Sequence, residues 1–389
     1  MRVLFIDICA QFINATRNLL PAVIGLASDM VCYGPGYVDS KRLSGGIKKF
    51  IEEEGPFDLL LPTPHAVFGD LRGAAIQTKS FNMHYAHNIS VQDLALLKDV
   101  ATQIDRSSCP RIGIFLESDF YNFSEEHINR IKNRTEAVIA MGTQFIREAK
   151  ELPNLKHEAF KGGVTDAWIE HAKGHQGQIA NLAHIVGEHE FNYTALALRK
   201  HAWSLMGVNY FARESAYSQL KSAGLEPKKD GPMRKIIAVL KRARIIEQER
   251  STYLNYTNSD FRNRLASARY SYTCGSGLDM PIRKFVEIPA AGAVLVCRPF
   301  SGFRDAGYID QENAIVCDPK DIVEVHKWLE SDPSRAQCIA NEGRAMVLKN
   351  HSVKARARQF KKIFESVIDG TFSGGVWERG SFKINRNQN

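Results

Sequence analysis

Two hydrophobic patterns alternate along this chain, short unbroken apolar runs and longer stretches with helical spacing. The unbroken runs are "RVLFIDI" (2–8), "DMVCYG" (29–34), "FDLLLPT" (57–63), "RIGIFLE" (111–117) and "EAVIAMG" (136–142), and each reads as a strand. Between them, "SGGIKKFIEEEG" (44–55) repeats its apolar residues at helical intervals and closes on Gly55 as a C-cap. "SEEHINRIKNR" (124–134) is a polar helix between two strands. Continuous apolar strands alternating with helices predict a parallel sheet covered on both faces.

A polar segment rich in glycine and histidine (162–192) interrupts the series, and the domain junction is placed near its end. A second series follows. Its strands are "KHAWSLMG" (200–207, running into a turn), "RKIIAVL" (234–240), "YSYTCG" (270–275), "GAVLVCR" (292–298) and "NAIVCD" (313–318). Its helices are 212–224, 319–332 and 353–368. The expected architecture is α/β, with two Rossmann-like, doubly wound domains, 1–193 and 194–375, facing across a cleft, and a C-terminal tail, 376–389. In such sheets a ligand binds outside the carboxyl ends of the strands, here between the two halves.

Composition narrows the field. The 389 residues exceed one core, and 44% hydrophobic with 24% charged residues is ordinary for a soluble globular chain. A formal net charge of +8 suits an anionic small ligand without indicating nucleic acid. Seven scattered cysteines form no C-x-x-C pair, which argues against a zinc site or a disulfide framework and fits a reducing, cytoplasmic setting. The apolar stretch 19–27 is too short to span a bilayer, and "MRVLFID" lacks the layout of a signal peptide.

The chemistry concentrates in "CGSGLDMPIRKFVEIPAAGAVLV" (274–296). A glycine-rich loop after a strand lets backbone approach a ligand closely. A helix starting near Pro281 would aim its amides at a phosphate, with Ser276 and Gly277 in the loop and Arg283 and Lys284 adding charge. Glu287, two turns along, can accept from a pair of sugar hydroxyls, and Asp279 can reach a second polyhydroxylated group. Asp279 could equally cap the helix, and Arg283 or Lys284 could be surface charges.

Asp279, seven residues, Glu287, "IPAAG" and an apolar strand together resemble the E-x7-E signature of GT-B glycosyltransferases with retaining chemistry, with aspartate as the first acid. The phrase "PIRKFVEIPAAGAVLV" is closest to the CgeB-like group of that fold. The order of elements continues to resemble it through residue 364, over less than a third of the chain. The resemblance implies a GT-B fold, a nucleotide-sugar donor, and Glu287 on the donor ribose. Through "WSLMGVNYFARESAYSQL" it implies Gly207, Tyr210 and Arg213 beside the donor phosphate, and near "RKII" it puts Lys241 on the leaving diphosphate. It also places Glu117 and Asp119, at the end of "RIGIFLESDF", at a strand terminus facing the cleft.

A group near the anomeric carbon could be Glu117, Asp119 or His65, which ends "PTPH"; His84 and His87 are weaker candidates. The function this implies is sugar transfer from a nucleotide-sugar donor to a glycan, lipid or protein acceptor, with retention. No D-x-D motif follows a strand, so no metal is expected, and no cofactor beyond the donor, which is a substrate. The basic run "KARARQFKK" (354–362) reads as a solvated helix face, or more sharply as peripheral contact with an anionic membrane. The alternatives are a non-catalytic relative kept as a spore-coat-type structural protein, and a nucleotide-sugar epimerase. A dehydrogenase is disfavoured, because "DICAQF" replaces G-x-G-x-x-G after the first strand.

Overall fold

The computed structural model describes residues 1–9, 15–68, 97–104, 108–116, 125–142, 176–207, 211–227, 236, 239–240, 251–275 and 280–387. The first half contains β1 (Arg2–Ile6), α1 (Ala15–Ala27), β2 (Asp29–Tyr33), α2 (Ser40–Ser44), α3 (Gly46–Glu54), β3 (Leu59–Pro62), α4 (Pro64–Phe68), α5 (Leu97–Ile104), β4 (Ile112–Leu116), α6 (Glu125–Arg134), β5 (Ala137–Met141) and β6 (Ile179–Leu182). The second half contains β7 (His201–Ser204), α7 (Phe211–Ser222), α8 (Ser251–Ser267), β8 (Ala268–Thr273), α9 (Lys284–Ala290), β9 (Val294–Cys297), β10 (Ile315–Val316), α10 (Ile322–Ser331), α11 (Pro333–His351) and α12 (Val353–Ile368). A hairpin, β11 (Phe372–Glu378) and β12 (Ser381–Arg386), follows.

Strands β2-β1-β3 are parallel, and a parallel bridge between Leu60 and Arg111 joins them to β4-β5-β6. β11 extends that sheet beside β6, with β12 antiparallel at its edge. The alternation along each strand explains why the runs look unbroken. Val3 and Phe5 pack with Leu20, Val23 and Ile24 of α1, whereas Leu4 and Ile6 pack with Ile47 and Phe50 of α3 on the other face. Both faces are dry, so no polar position interrupts the pattern. The second sheet, β10-β9-β8-β7, is parallel throughout. Val294 and Val296 face one core, and Leu295 and Cys297 the other. Two Rossmann-like domains therefore form, as the pattern of runs predicts.

Three features differ from the sequence reading. The segment 234–240, expected as a strand, is helical at 236 and 239–240, since a short apolar run serves either element. Residues from 376 are no tail. They continue β11 and form β12, and the two-residue turn at Arg379 and Gly380 takes positive φ of 48° and 79°, as hairpin turns require. The basic run is only partly solvated. Arg356 is fully buried and donates to the carbonyls of Ala183 (2.7 Å) and His184 (3.3 Å), while Lys354, Arg358, Lys361 and Lys362 are exposed.

Arg356 sits where the chain crosses between domains. Val186 and Ser352 form a parallel bridge, Val186 N–H donates to His351 O, and Val353 N–H donates to Val186 O. Burial, reinforced by the Arg356 charge, depresses the buried His351 to about 3. A depressed histidine is neutral in the fold and binds its proton only when the chain opens. Its contribution is complete above the ordinary histidine value of about 6.5 and is lost as pH falls from there towards 3. Replacing His351 by asparagine is expected to flatten the fall in stability across that window in urea titrations at stepped pH.

No helix among the described residues is long and apolar enough to cross a membrane. None of the seven cysteines is in a disulfide.

Candidate functional site

The site grows from the short helix α9. Its seven residues could not hold a helix alone. Its carboxyl end is fixed from outside: Arg344 donates to Ala290 O, and Arg199 donates to Ala291 O at 2.6 Å. Arg199 also reaches the carbonyls of Thr194, Leu265 and Ala268, and burial lowers it to about 10. Cations suit a helix C-terminus. Tyr308 donates its hydroxyl to Phe285 O at 2.9 Å, within a cluster formed with Phe300 and Phe303.

These restraints hold Glu287 at 4% exposure. Its Oε1 accepts from Arg283 Nη1 and its Oε2 from Lys284 Nζ at 2.6 Å. Burial alone would raise this carboxyl; Lys284 and Arg283 outweigh it and hold Glu287 below the usual carboxylate range. Lys284 Nζ also lies 4.0 Å from the Phe261 ring centroid. Arg283 extends away from Glu287 to the segment leaving β6, where its Nε donates to Ile185 O at 3.2 Å and its Nη2 to both oxygens of Glu190, at 2.8 and 2.7 Å.

The first domain's crossover and the second domain's strand ends meet here. β7 runs out to Gly207, whose φ of +107° suits glycine. A Cβ there would lie 2.9 Å from Arg213 Nη1, with Lys284 Cε at 3.6 Å. Arg213, buried near the start of α7, donates to Thr273 Oγ1 at 3.1 Å at the carboxyl end of β8. Gly207, Arg213, Lys284, Arg283 and Glu287 thus converge outside the carboxyl ends of two adjacent parallel strands.

The amide cradle expected at this helix differs. α9 starts at Lys284, with Arg283 as its N-cap, rather than near Pro281. The amides of Phe285, Val286 and Glu287 donate to Ile282 O, Arg283 O and Arg283 O. Turn-forming bonds occupy those donors, so positive charge at the site comes from side chains. His65 lies in α4 after β3. The remaining candidates, Tyr210, Lys241, Ser276, Gly277, Asp279, Glu117, Asp119, His84 and His87, lie outside the described residues.

Two groups escaped the sequence reading. Glu190 was hidden because its partner is 93 positions away. Asp7, directly after β1, is fully buried, accepts from Thr63 Oγ1 at 2.7 Å and lies 3.5 Å from Arg17. Burial pushes its carboxyl up against the opposing pull of Arg17. An acid closing a buried run, "VLFID", was the available signal. On α1, next to Arg17 in sequence, Thr16 Oγ1 and His184 Nδ1 are 2.7 Å apart.

The profile of the glycosyl transferase-like family matches residues 235–362, about a third of the chain, and that span contains α9 and Glu287. The Anabaena HepE structure, solved with UDP, superposes with a TM-score of 0.51 at 11% identity over 94% of this chain and 100% of that one. Its complex with UDP-glucose gives 0.52 at 12%, with the same coverage. A glycosyltransferase from Rickettsia africae gives 0.52 at 11% over 95% of this chain and 99% of that one. The chain carries a glycosyltransferase domain in a GT-B fold. No curated protein sequence matches it. In this glycosyltransferase domain the acid before "IPAAG" is buried and ion-paired, and the strand after it, β9, is wholly buried.

Proposed function

We propose that the protein moves a sugar from a nucleotide-sugar donor to a glycan, lipid or protein acceptor. Glu287 receives the donor ribose hydroxyls, and Arg213 and Lys284 face the diphosphate beside the Gly207 turn. The observation that carries this reading is a buried carboxylate, kept charged by two cations, at the carboxyl ends of β7 and β8 within the family-matched span. HepE's binding of UDP and UDP-glucose supports a uridine donor.

In the reaction the bond from the anomeric carbon to the terminal phosphate oxygen breaks, and a bond to the acceptor oxygen forms. The charge that develops on the leaving diphosphate falls beside Arg213 and Lys284, already placed and shielded from water. We propose that these side chains make the reaction metal-independent. Retention rests on the resemblance of the 279–287 acid pair, and the anomeric configuration of the product, read by NMR, tests it. The exposed cations Lys354, Arg358, Lys361 and Lys362 of α12 support contact with an anionic membrane surface.

The test is a panel of uridine, guanosine, cytidine, adenosine and thymidine diphosphate sugars. Release of the nucleoside diphosphate with sugar on an acceptor supports the reading; an epimerised free sugar without acceptor replaces transfer by epimerisation. Protection against unfolding by none of the panel removes the donor site altogether. Replacing Arg213 by alanine is expected to weaken nucleoside diphosphate binding about 10- to 100-fold, the scale of a lost charge-assisted contact, while leaving the free nucleoside's affinity unchanged. Calorimetry reads both.

A further inference from the structure

The salt-bridge network around Glu287 reaches beyond the donor-binding domain. Glu287 could be fully satisfied by its own helix, since Arg283 and Lys284 precede it by one turn. Arg283 is instead divided. One edge of its guanidinium serves Glu287; Nε and Nη2 serve Ile185 O and the two oxygens of Glu190.

Glu190 is itself preorganised. Its Oε2 accepts from Gly187 N–H at 3.0 Å, and its own N–H donates to Gly187 O at 3.1 Å, closing a tight turn. That turn belongs to the crossover between domains, which is tied to the returning chain by the Val186–Ser352 bridge and by Lys354 N–H donating to Glu188 Oε1 at 2.8 Å. Two carboxylates therefore compete for one guanidinium, one from the donor helix and one from the crossover.

We propose that Glu190 is a positioning residue: by holding Arg283 from the crossover turn, it limits Arg283 to one oxygen of Glu287 and leaves that carboxylate able to accept the donor's ribose hydroxyls. Without Glu190, Arg283 can turn its fork onto Glu287 and form a bidentate pair, the preferred arginine–carboxylate geometry, which occupies the lone pairs the ribose needs. Losing Glu190 also removes a negative charge near the diphosphate, so the two halves of the nucleotide respond in opposite directions.

This inference rests on the donor reading above, and the experiment separates the two. The affinities of the full chain for UDP, 2′-deoxy-UDP and inorganic pyrophosphate are measured by calorimetry for the wild type and for Glu190→Gln. The wild type is expected to prefer UDP over 2′-deoxy-UDP by about 10-fold or more, the scale of a hydroxyl bonded to a carboxylate. In Glu190→Gln the preference is expected to fall below about 3-fold while pyrophosphate binds at least as well, a loss of most of one charge-assisted hydrogen bond. A purely structural role would lower the melting temperature and leave the preference intact, and that result overturns the proposal alone. A wild type that binds UDP without preferring it to the 2′-deoxy form overturns Glu287 as the ribose ligand, and the proposal with it. A wild type that binds none of the three, pyrophosphate included, overturns the uridine donor and the diphosphate site, and the proposal with them. Should Glu190→Gln fail to fold, Glu190→Asp keeps the charge but draws the carboxylate back from Arg283 by one methylene, and its UDP preference is read in the same way.

Discussion

Replacing Glu287 by glutamine is expected to weaken nucleoside diphosphate binding by about 10- to 100-fold, because two ribose hydroxyls lose a charged acceptor for a neutral one. The same change removes the one negative partner that Lys284 has among the described residues, whereas Arg283 keeps Glu190. An uncompensated buried charge costs roughly 3–5 kcal/mol, and continued pairing of Arg283 places the expected loss at the lower end, about 3 kcal/mol. The pH dependence follows from the depressed carboxyl. Its stabilisation is complete above the unfolded value of about 4.3 and disappears as pH falls through the lower folded value. The gap in unfolding free energy between wild type and Glu287→Gln should thus be constant near neutrality and narrow in acid. This window overlaps the acid end of the one assigned to His351, but the difference between wild type and Glu287→Gln cancels the His351 contribution, so urea titrations from pH 7 to 3 read the carboxylate alone. A gap that holds to pH 3 would contradict the buried ionised state.

The second large effect concerns stability alone. Trp377 in β11 is 3% exposed, donates Nε1–H to Asn181 O at 2.8 Å, and packs against His351 and Phe382 at ring distances of 5.0 and 5.5 Å. Trp377→Ala is expected to cost roughly 3–5 kcal/mol. In a chain of this size that lowers the melting temperature by about 5 °C. Trp377→Phe keeps much of the packing and loses mainly the hydrogen bond, about 1 kcal/mol. Neither change touches the donor site, so nucleotide affinity of the folded protein should stay within about twofold, the scatter expected of distant sites. Scanning calorimetry with and without UDP checks both statements.

How much of this was legible beforehand depended on what surrounds each element. β1 through β5 stood out because helices cover both faces, so each strand reads as an uninterrupted apolar run. β6 is just as buried, but its four residues sit among glycine, glutamine and histidine, and no alternation marks them. α1 was obscured by Pro21, which falls mid-helix where proline usually ends one. The hairpin carried its own signal, the Arg379–Gly380 turn, in a stretch read as a tail. Glu287 was readable as an acid among apolar neighbours, a position that requires a partner. Its partners Arg283 and Lys284 lay beside it in sequence, whereas Glu190 came from another domain, and no local pattern could connect them. The phosphate-facing amides were inferred from glycine and proline spacing; the real turn uses those donors internally, and charge comes from Arg213 and Lys284 instead.

The placement of β11 beside β6 has a consequence for biosynthesis. The first domain's sheet gains its last strands from residues that leave the ribosome after the entire second domain has been made. Until then the nascent first domain displays β6 as an open edge, and Asn181 O lacks the indole that caps it. The amino-terminal domain therefore cannot finish folding in the order in which it is translated, and the completed carboxyl-terminal domain acts as the scaffold that delivers its final strands.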